Sequence, residues 1–358
     1  MGEQSATIYD VARAAGVSTK TVSRVLNGEG PVRRETRDGI ERAMRELGYV
    51  PSSAARSLRS RHTALVGVVS GAISLASEAP ELAGLPEVYL LRGIQDVLDA
   101  SARTMLLADV GRDPSGAARI ARTFAEHQVG GVVHVAPFHR EVALERVGPA
   151  PVVIANGYDA AGTPAVLPDD RAGQRALVDG LIERGHRRIA YLQLQPELEA
   201  SRLRTMAYRD ALEAAGLPFD PDLVRPADLP DDATTERRTA ARKAALDAVL
   251  DRPDPPTAIL CGNDRMAIGI YGMLRARGLA IPEDVSVAGY DDYRLISETL
   301  YPQLATVELP YREIGRRAAA LLLDPHPPTS PILIGGEVRW RASVAPPNVR
   351  GTARGGPR

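Results

Sequence analysis

The chain has 358 residues, long enough for two or three domains and a large core. Its formal net charge of −1 hides a split: residues 1–62 hold eleven Lys or Arg against seven Asp or Glu, and the remainder holds 33 against 38. A basic head on an acidic body fits a nucleic-acid module joined to a sensing module. The one cysteine, Cys261, excludes an intrachain disulfide and a cysteine-cluster metal site. With no apolar signal core at the N-terminus and no run of transmembrane length, a soluble cytoplasmic protein without a membrane partner is expected.

Thr7 to Asn27, TIYDVARAAGVSTKTVSRVLN, reads as two short helices. Thr7 caps the first, whose apolar positions Ile8, Val11, Ala12 and Ala15 recur at helical spacing. Gly16 supplies the left-handed turn that ends it, and Ser18 caps the second. On a wheel of the second helix Val22, Val25 and Leu26 share one side, with Thr19, Lys20, Ser23 and Arg24 roughly opposite. Hydroxyls and cations at a helix N-terminus suit a major groove, although a short solvated helix would show the same pattern. A third helix, Arg34 to Leu47, buries Ile40, Ala43, Met44 and Leu47 and stops at Gly48. Ser52 to Arg59 is too short for a stable helix alone, so it reads as either a plain linker or a segment that folds on a partner.

From Leu65 onward strand-like runs alternate with helical patterns, which argues for doubly wound parallel α/β sheets. LVGVVS, TMLLAD, GVVHVA and PVVIAN are candidate strands of a first lobe, and RIAYLQL, TAILCG and VSVAGY of a second. Crossover helices are expected over Val88–Ala100, Ala117–His127, Gly173–Arg184, Arg204–Ala215, Thr235–Leu250 and Asp264–Arg277.

YDVARAAGVSTKTVSRVLN, ELGYVP, AARSLRS, HRRIAYL, RLRTMAYRDAL, CGNDRMAIG, VSVAGYDD and VAPP together resemble the lactose/galactose-repressor (LacI/GalR) family of bacterial transcription regulators. The resemblance runs from about Thr7 to about Pro347. It implies a helix-turn-helix head over 1–51, a hinge helix over 52–62 and a two-lobed body like periplasmic sugar-binding proteins over 63–347; the tail over 348–358, Gly/Arg-rich in GTARGGPR, is expected to be disordered from its composition. The resemblance implies lobe crossings near 160, 290 and 325. It also implies that two hinges meet in the minor groove, where Ala55 packs and Leu58 wedges between base steps.

No nucleotide, zinc-protease or nucleophile-elbow motif is present, and the six histidines lack metal spacing. An enzyme, a metal site and a cofactor are therefore not expected, and His186 reads as a cap or packing residue. Polar residues do stand at the carboxyl ends of expected strands, where α/β sheets bind ligands. Asn156, Asn263 and Asp291 stand so, and Arg204 opens a helix just after RIAYLQL; the set suits a polyhydroxylated molecule. Asp264 and Asp292 are read as helix caps or loop bonds. The resemblance implies effector contacts at Arg204, Asn263, Asp291 and Asn156, the last where many relatives carry Asp. Ala207 replaces the usual glycine of the arginine motif, and no Trp lies near 220–235 to stack on a sugar; Tyr89 or Phe138 is the substitute.

The chain thus reads as a homodimeric repressor binding double-stranded DNA at a pseudo-palindrome, under control of a small effector such as a sugar. Thr19, Lys20 and Arg24 are expected at base edges, with Tyr9, Ser18, Thr21 and Asn27 on phosphates. Regulation by a nucleoside or other non-sugar effector, and a ligand binder without a DNA role, are the alternatives.

Overall fold

The computed structural model describes residues 6–27, 29–49, 64–71, 85–109, 116–144, 148–229, 233–328 and 330–348. The chain divides into two compact units, 1–64 and 65–358. The hinge residues Ala55 and Leu58 and the tail beyond 348 lie outside the described residues.

The first unit contains α1 (Ile8–Ala14), α2 (Thr19–Asn27) and α3 (Arg34–Glu46) around Val11, Ala12, Val22, Ile40 and Ala43. Asp10 accepts from the Thr7 amide at 3.0 Å and its hydroxyl at 2.6 Å, closing the start of α1. Gly16 has φ +64°, and the Ser18 hydroxyl accepts from the Thr21 amide at 3.2 Å, so the turn and second cap form as the residue types demand. Leu47, expected inside, is 39% exposed. It falls after the last residue of α3, at the cap, just before Gly48 turns the chain at φ +58°.

The second unit is built on two sheets. The first lobe holds β1 (Leu65–Ser70), α4 (Leu85–Ala100), β2 (Thr104–Asp109), α5 (Gly116–Glu126), β3 (Val132–Val135), β4 (Val152–Ala155) and β5 (Ala165–Pro168). The second begins with α6 (Asp170–Glu183), β6 (Ile189–Gln193), α7 (Glu199–Ala214), β7 (Val224–Pro226), α8 (Thr235–Leu250) and β8 (Ala258–Cys261). It continues through α9 (Asp264–Ala276), β9 (Ser286–Asp291), α10 (Arg294–Ser297) and β10 (Ala305–Glu308). The chain then returns to the first lobe for α11 (Tyr311–Leu323) and β11 (Ile332–Ile334), and ends in the second with β12 (Val338–Arg339).

Strand orders are β11-β5-β4-β3-β1-β2 and β12-β10-β9-β8-β6-β7, with only β12 antiparallel among the described pairs. Alternate residues of β6 explain why its run is apolar throughout. Ile189 and Tyr191 pack with Leu177, Leu181 and Tyr208 on one face, while Ala190 and Leu192 pack with Leu246, Met266 and Ile270 on the other.

Close approach depends on glycine in two places. A Cβ on Gly93 of α4 would stand 2.0 Å from the Arg312 carbonyl oxygen, and one on Gly315 of α11 2.1 Å from that of Leu90. The two helices therefore touch backbone to backbone over the first sheet. A Cβ on Gly173 would likewise meet the Tyr290 hydroxyl at 2.4 Å, so α6 lies directly on the second sheet.

Several expectations change. The lobe crossings fall between Pro168 and Asp170, between Glu308 and Tyr311, and between Ile334 and Val338, rather than near 160, 290 and 325. Each comes later because one more strand, β5, β10 or β11, is added before the chain leaves its lobe. Helix α11 was not among the expected helices. It buries Ile314, Ala318, Leu321 and Leu322 against α4 and the first sheet. Arg204 sits in the second turn of α7, not at its start, because that helix begins at Glu199.

Candidate functional site

A cleft of about 1140 Å³ lies in the two-lobed unit, lined from both lobes. It gathers all five residues named for the effector, Tyr89, Asn156, Arg204, Asn263 and Asp291, and Phe138 with them. Tyr89 is half-exposed on α4; Asn156 follows β4, Asn263 follows β8, and Asp291 ends β9. These are carboxyl ends of parallel strands, where the last side chains project beyond the sheet.

The two asparagines each have one atom committed and another to offer. Asn156, at φ +65°, donates from Nδ2 to the Ala136 carbonyl at 3.0 Å, leaving Oδ1. Asn263 caps α9, its Oδ1 accepting from the Met266 amide at 2.8 Å, which leaves its NH2 group. The Asp291 carboxylate makes no hydrogen bond among the described residues, and its backbone has φ +123°. Burial pushes its carboxyl up to about 7, against the opposing pull of Arg204 and Arg265.

Arg204 is fixed by a network that sequence reasoning missed. Its Nε donates to Asp170 Oδ1 at 2.7 Å and its Nη1 to the Gly262 carbonyl at 2.8 Å. Its guanidinium lies 3.5 Å from the centre of the Tyr290 ring. Asp170 takes a second bond at its other oxygen from His139 Nδ1, also 2.7 Å, and the Tyr290 hydroxyl donates to the Asp170 carbonyl at 3.3 Å. Asp170 and Arg204 are buried, so their charges are compensated within the protein. The only sequence signal for Asp170 was its place after β5 and before an apolar helix.

Asp264 and Asp292 serve the structure. Buried Asp264 accepts from the Tyr293 amide at 2.8 Å and the Thr306 hydroxyl at 2.6 Å. Asp292 holds Ser297 at 2.8 Å and Arg341 at 2.7 Å. His186 bridges Thr257 at 2.9 Å and the Ala345 carbonyl at 3.0 Å, a packing role as expected. Trp340 lies away from the cleft lining; its ring covers Gly180 and stacks 3.5 Å beneath the Arg184 guanidinium.

In the first unit Lys20 and Arg24 are exposed on α2 and Thr19 is half-buried. The Ser18 and Thr21 hydroxyls bond each other at 2.9 Å, and Tyr9 is 68% exposed on α1. Asn27 ends α2. The result is an exposed polar and basic helix face over a small apolar core.

Residues 7–52 match the model described as bacterial regulatory proteins, lacI family, and residues 178–344 match the periplasmic binding protein-like domain. The chain is 34% identical over 331 residues to the HTH-type transcriptional regulator CelR of Thermobifida fusca, covering 89% of this chain and 91% of that one. It belongs to the lacI family of bacterial regulatory proteins. It is also 31% identical over 321 residues to catabolite control protein A of Priestia megaterium, covering 88% and 91% of the two chains. Among solved structures, the lac repressor dimer bound to operator and the anti-inducer ONPF is similar with a TM-score of 0.75 at 25% identity, covering 96% of this chain and 100% of that one. The CelR–cellobiose complex is similar with a TM-score of 0.64 at 30% identity, covering 95% and 100%. This lacI-family chain is a DNA-binding transcriptional regulator under effector control, and not an enzyme. No helix among its described residues is long and apolar enough to cross a membrane.

Proposed function

We propose that the chain is a cytoplasmic, homodimeric repressor whose affinity for a pseudo-palindromic operator is set by a polyhydroxylated effector, a sugar, held between the lobes. The observation that carries this is the cleft where Asn156, Arg204, Asn263 and Asp291 offer an amide oxygen, a guanidinium, an amide NH2 and a carboxylate. That mixture of donors and acceptors matches several hydroxyls at once. The solved relative holding cellobiose supports a sugar. A ligand touching both lobes shifts their equilibrium by its differential contact with the open and closed forms. Residues 1–51 are the DNA-binding head, 52–62 the hinge with Ala55 and Leu58 toward the minor groove, and 63–347 the effector body. Thr19, Lys20 and Arg24 read base edges, and Tyr9, Ser18, Thr21 and Asn27 position on phosphates. One recognition helix reads few base pairs, which is the reason for two copies.

Asp291→Asn tests the pocket best, because its carboxylate supports no described hydrogen bond and the change is isosteric. Above about pH 8, where a carboxyl pushed up to about 7 is ionised, losing a charged acceptor costs about 1.5–3 kcal/mol, so affinity for the strongest ligand of a mono- and disaccharide panel should fall roughly tenfold to a hundredfold. Calorimetry beside operator titration measures both activities, and unchanged sugar affinity would place the effector elsewhere. In the head, Arg24→Ala should cost about 1–3 kcal/mol on the operator and relax its base preference, as for a guanine contact. Equal weakening on operator and random DNA would show that Arg24 meets phosphate alone.

A further inference from the structure

The cleft wall of the second lobe carries cationic charge that the hydrogen bonds among the described residues only partly absorb. Arg238, Arg242 and Arg265 line the same cleft as Arg204. Arg238 and Arg242 lie one turn apart on α8, an arrangement of like charges that weakens a helix. Arg265 is in the first turn of α9. Gly269, one turn further along α9, has no Cβ, and Arg242 lies over that space, its Cδ 3.8 Å from where the Cβ would be. Arg242 and Arg265 therefore converge on one stretch of wall.

Their partners do not account for them. Arg238 donates to the Leu229 and Ala233 carbonyls at 2.9 and 3.2 Å, so it holds the loop before α8. The carboxylate of Asp228 is 3.9 Å from Arg238 and 3.6 Å from Arg242, and its Oδ1 makes no hydrogen bond. Arg242 Nε is buried without a hydrogen-bond partner among the described residues. Arg265 makes no ion pair or hydrogen bond among the described residues, whereas the other cleft arginines do: Arg204 with Asp170, Arg294 with Glu298, Arg312 with Asp96 and Arg316 with Glu313. Burial, with the like charges of Arg265 and Arg238, holds the Arg242 guanidinium below its ordinary value. The acids that feel Arg265 are Glu87 on the first-lobe wall and Asp291, and burial pushes both up against its pull, so each opposes a bound anion less than a free carboxylate does.

We propose that the effector is a hydroxyl-bearing small molecule carrying an anionic group, a carboxylate or a phosphate monoester, and that Arg242 and Arg265 hold that group. The proposal rests on the reading of this cleft as the effector site. Guanidinium forks pair with both anions through parallel N–H···O bonds, and a partly buried site strengthens them. Hydroxyls of the same molecule would fall to Asn156, Asn263 and Asp291.

Inorganic phosphate is the minimal probe. Thermal unfolding of the full-length protein should shift upward in phosphate relative to chloride at matched ionic strength. The shift should vanish in Arg242→Gln/Arg265→Gln and shrink in Arg265→Gln alone; circular dichroism without phosphate confirms folding, and Arg265→Gln breaks no described contact. A shift that is absent, or that survives the double variant, overturns the proposal. Calorimetry then compares glucose and galactose with their 6-phosphates and uronates. Anionic members should bind about tenfold or more tightly than their parents, an advantage lost in Arg265→Gln. A response to phosphates alone or to uronates alone identifies the anion. Neutral sugars that bind wild type and both arginine variants equally, through Asp291, overturn the anionic site and leave the effector reading standing. Sugar binding indifferent to Asp291, beside a phosphate shift that needs Arg242 and Arg265, overturns the effector reading instead.

Discussion

Asp170→Ala is expected to destabilise the two-lobed body by about 3–5 kcal/mol, because it strips the partner from a buried charge. The carboxylate is buried and receives Arg204 and His139 at 2.7 Å each. Without it the Arg204 guanidinium stays between Tyr290 and the Gly262 carbonyl and loses its hydrogen-bonded counter-charge. Effector response should fall with stability, since Arg204 loses the bond that orients it. Burial alone would raise the Asp170 carboxyl, but the Arg204 charge and the His139 hydrogen bond outweigh it and hold it below the ordinary carboxylate range. A depressed folded value means stability that is fully present above about pH 4 and lost as pH falls below it. The wild-type body should therefore lose stability on acidification more steeply than the variant. Urea titrations read by the fluorescence of Trp340, the only tryptophan, measure this beside α6, which Asp170 opens. A variant within about 1 kcal/mol of wild type at pH 7 would show that the network is not a buried ion pair in solution.

Gly315→Val should cost about 3 kcal/mol or more, at the upper end of overpacking, because the obstacle is backbone. A Cβ there would stand 2.1 Å from the Leu90 carbonyl oxygen, and no rotamer relieves that contact. Helices α4 and α11 would have to separate, opening the layer of Leu90, Ile94, Ile314 and Ala318 over the first sheet. Hydrogen exchange at the amides of β1, β3 and β4 should rise ahead of exchange in β6 and β8. Gly272→Ala is the contrast, since its Cβ position is open and it lies inside α9. That change should be neutral or stabilising by up to about 1 kcal/mol. If Gly315→Val matches it, the two helices do not meet as described.

The parts legible in the sequence were those with local period. Val11, Val22 and Ile40 repeat on short helices, and the strand runs of the body are apolar on both faces because both are covered. Asn156, Asn263 and Asp291 were legible because a strand end is visible as the place where an apolar run meets a polar residue. Asp170 was not, since its partners lie 31 and 34 residues away in the chain: the packing of α6 on α7 brings in Arg204, and His139 comes from the segment after β3. Arg265 stood within a recognised motif, yet its lack of a bonded partner among the described residues could not be seen until the carboxylates around it were placed. The crossings were misjudged for a related reason: AVLP is a strand of four residues ending in proline, too short to register as one more member of its sheet. Helix α11 carries Ile314, Ala318, Leu321 and Leu322 at helical spacing, but YREIGRR opens it with charges that mask the pattern.

The return of α11 also sets the order in which the protein can be completed as it is made. The head has all its core residues by Ala43, so it can fold as soon as it clears the ribosome. The first lobe has five of its strands by Pro168, with Leu90, Ile94 and Leu98 of α4 to pack on them, but must wait for Ile314 to Leu322 to complete the cluster around Val133 and Val153. At synthesis rates of about 5–20 residues per second, that gap lasts roughly 8–30 seconds. During it the larger part of a parallel sheet stands with one face only partly covered while the second lobe is being made. The lobe that is synthesised first is thus closed late, and a chain that stops before Tyr311 carries a finished DNA-binding head on a body that cannot close.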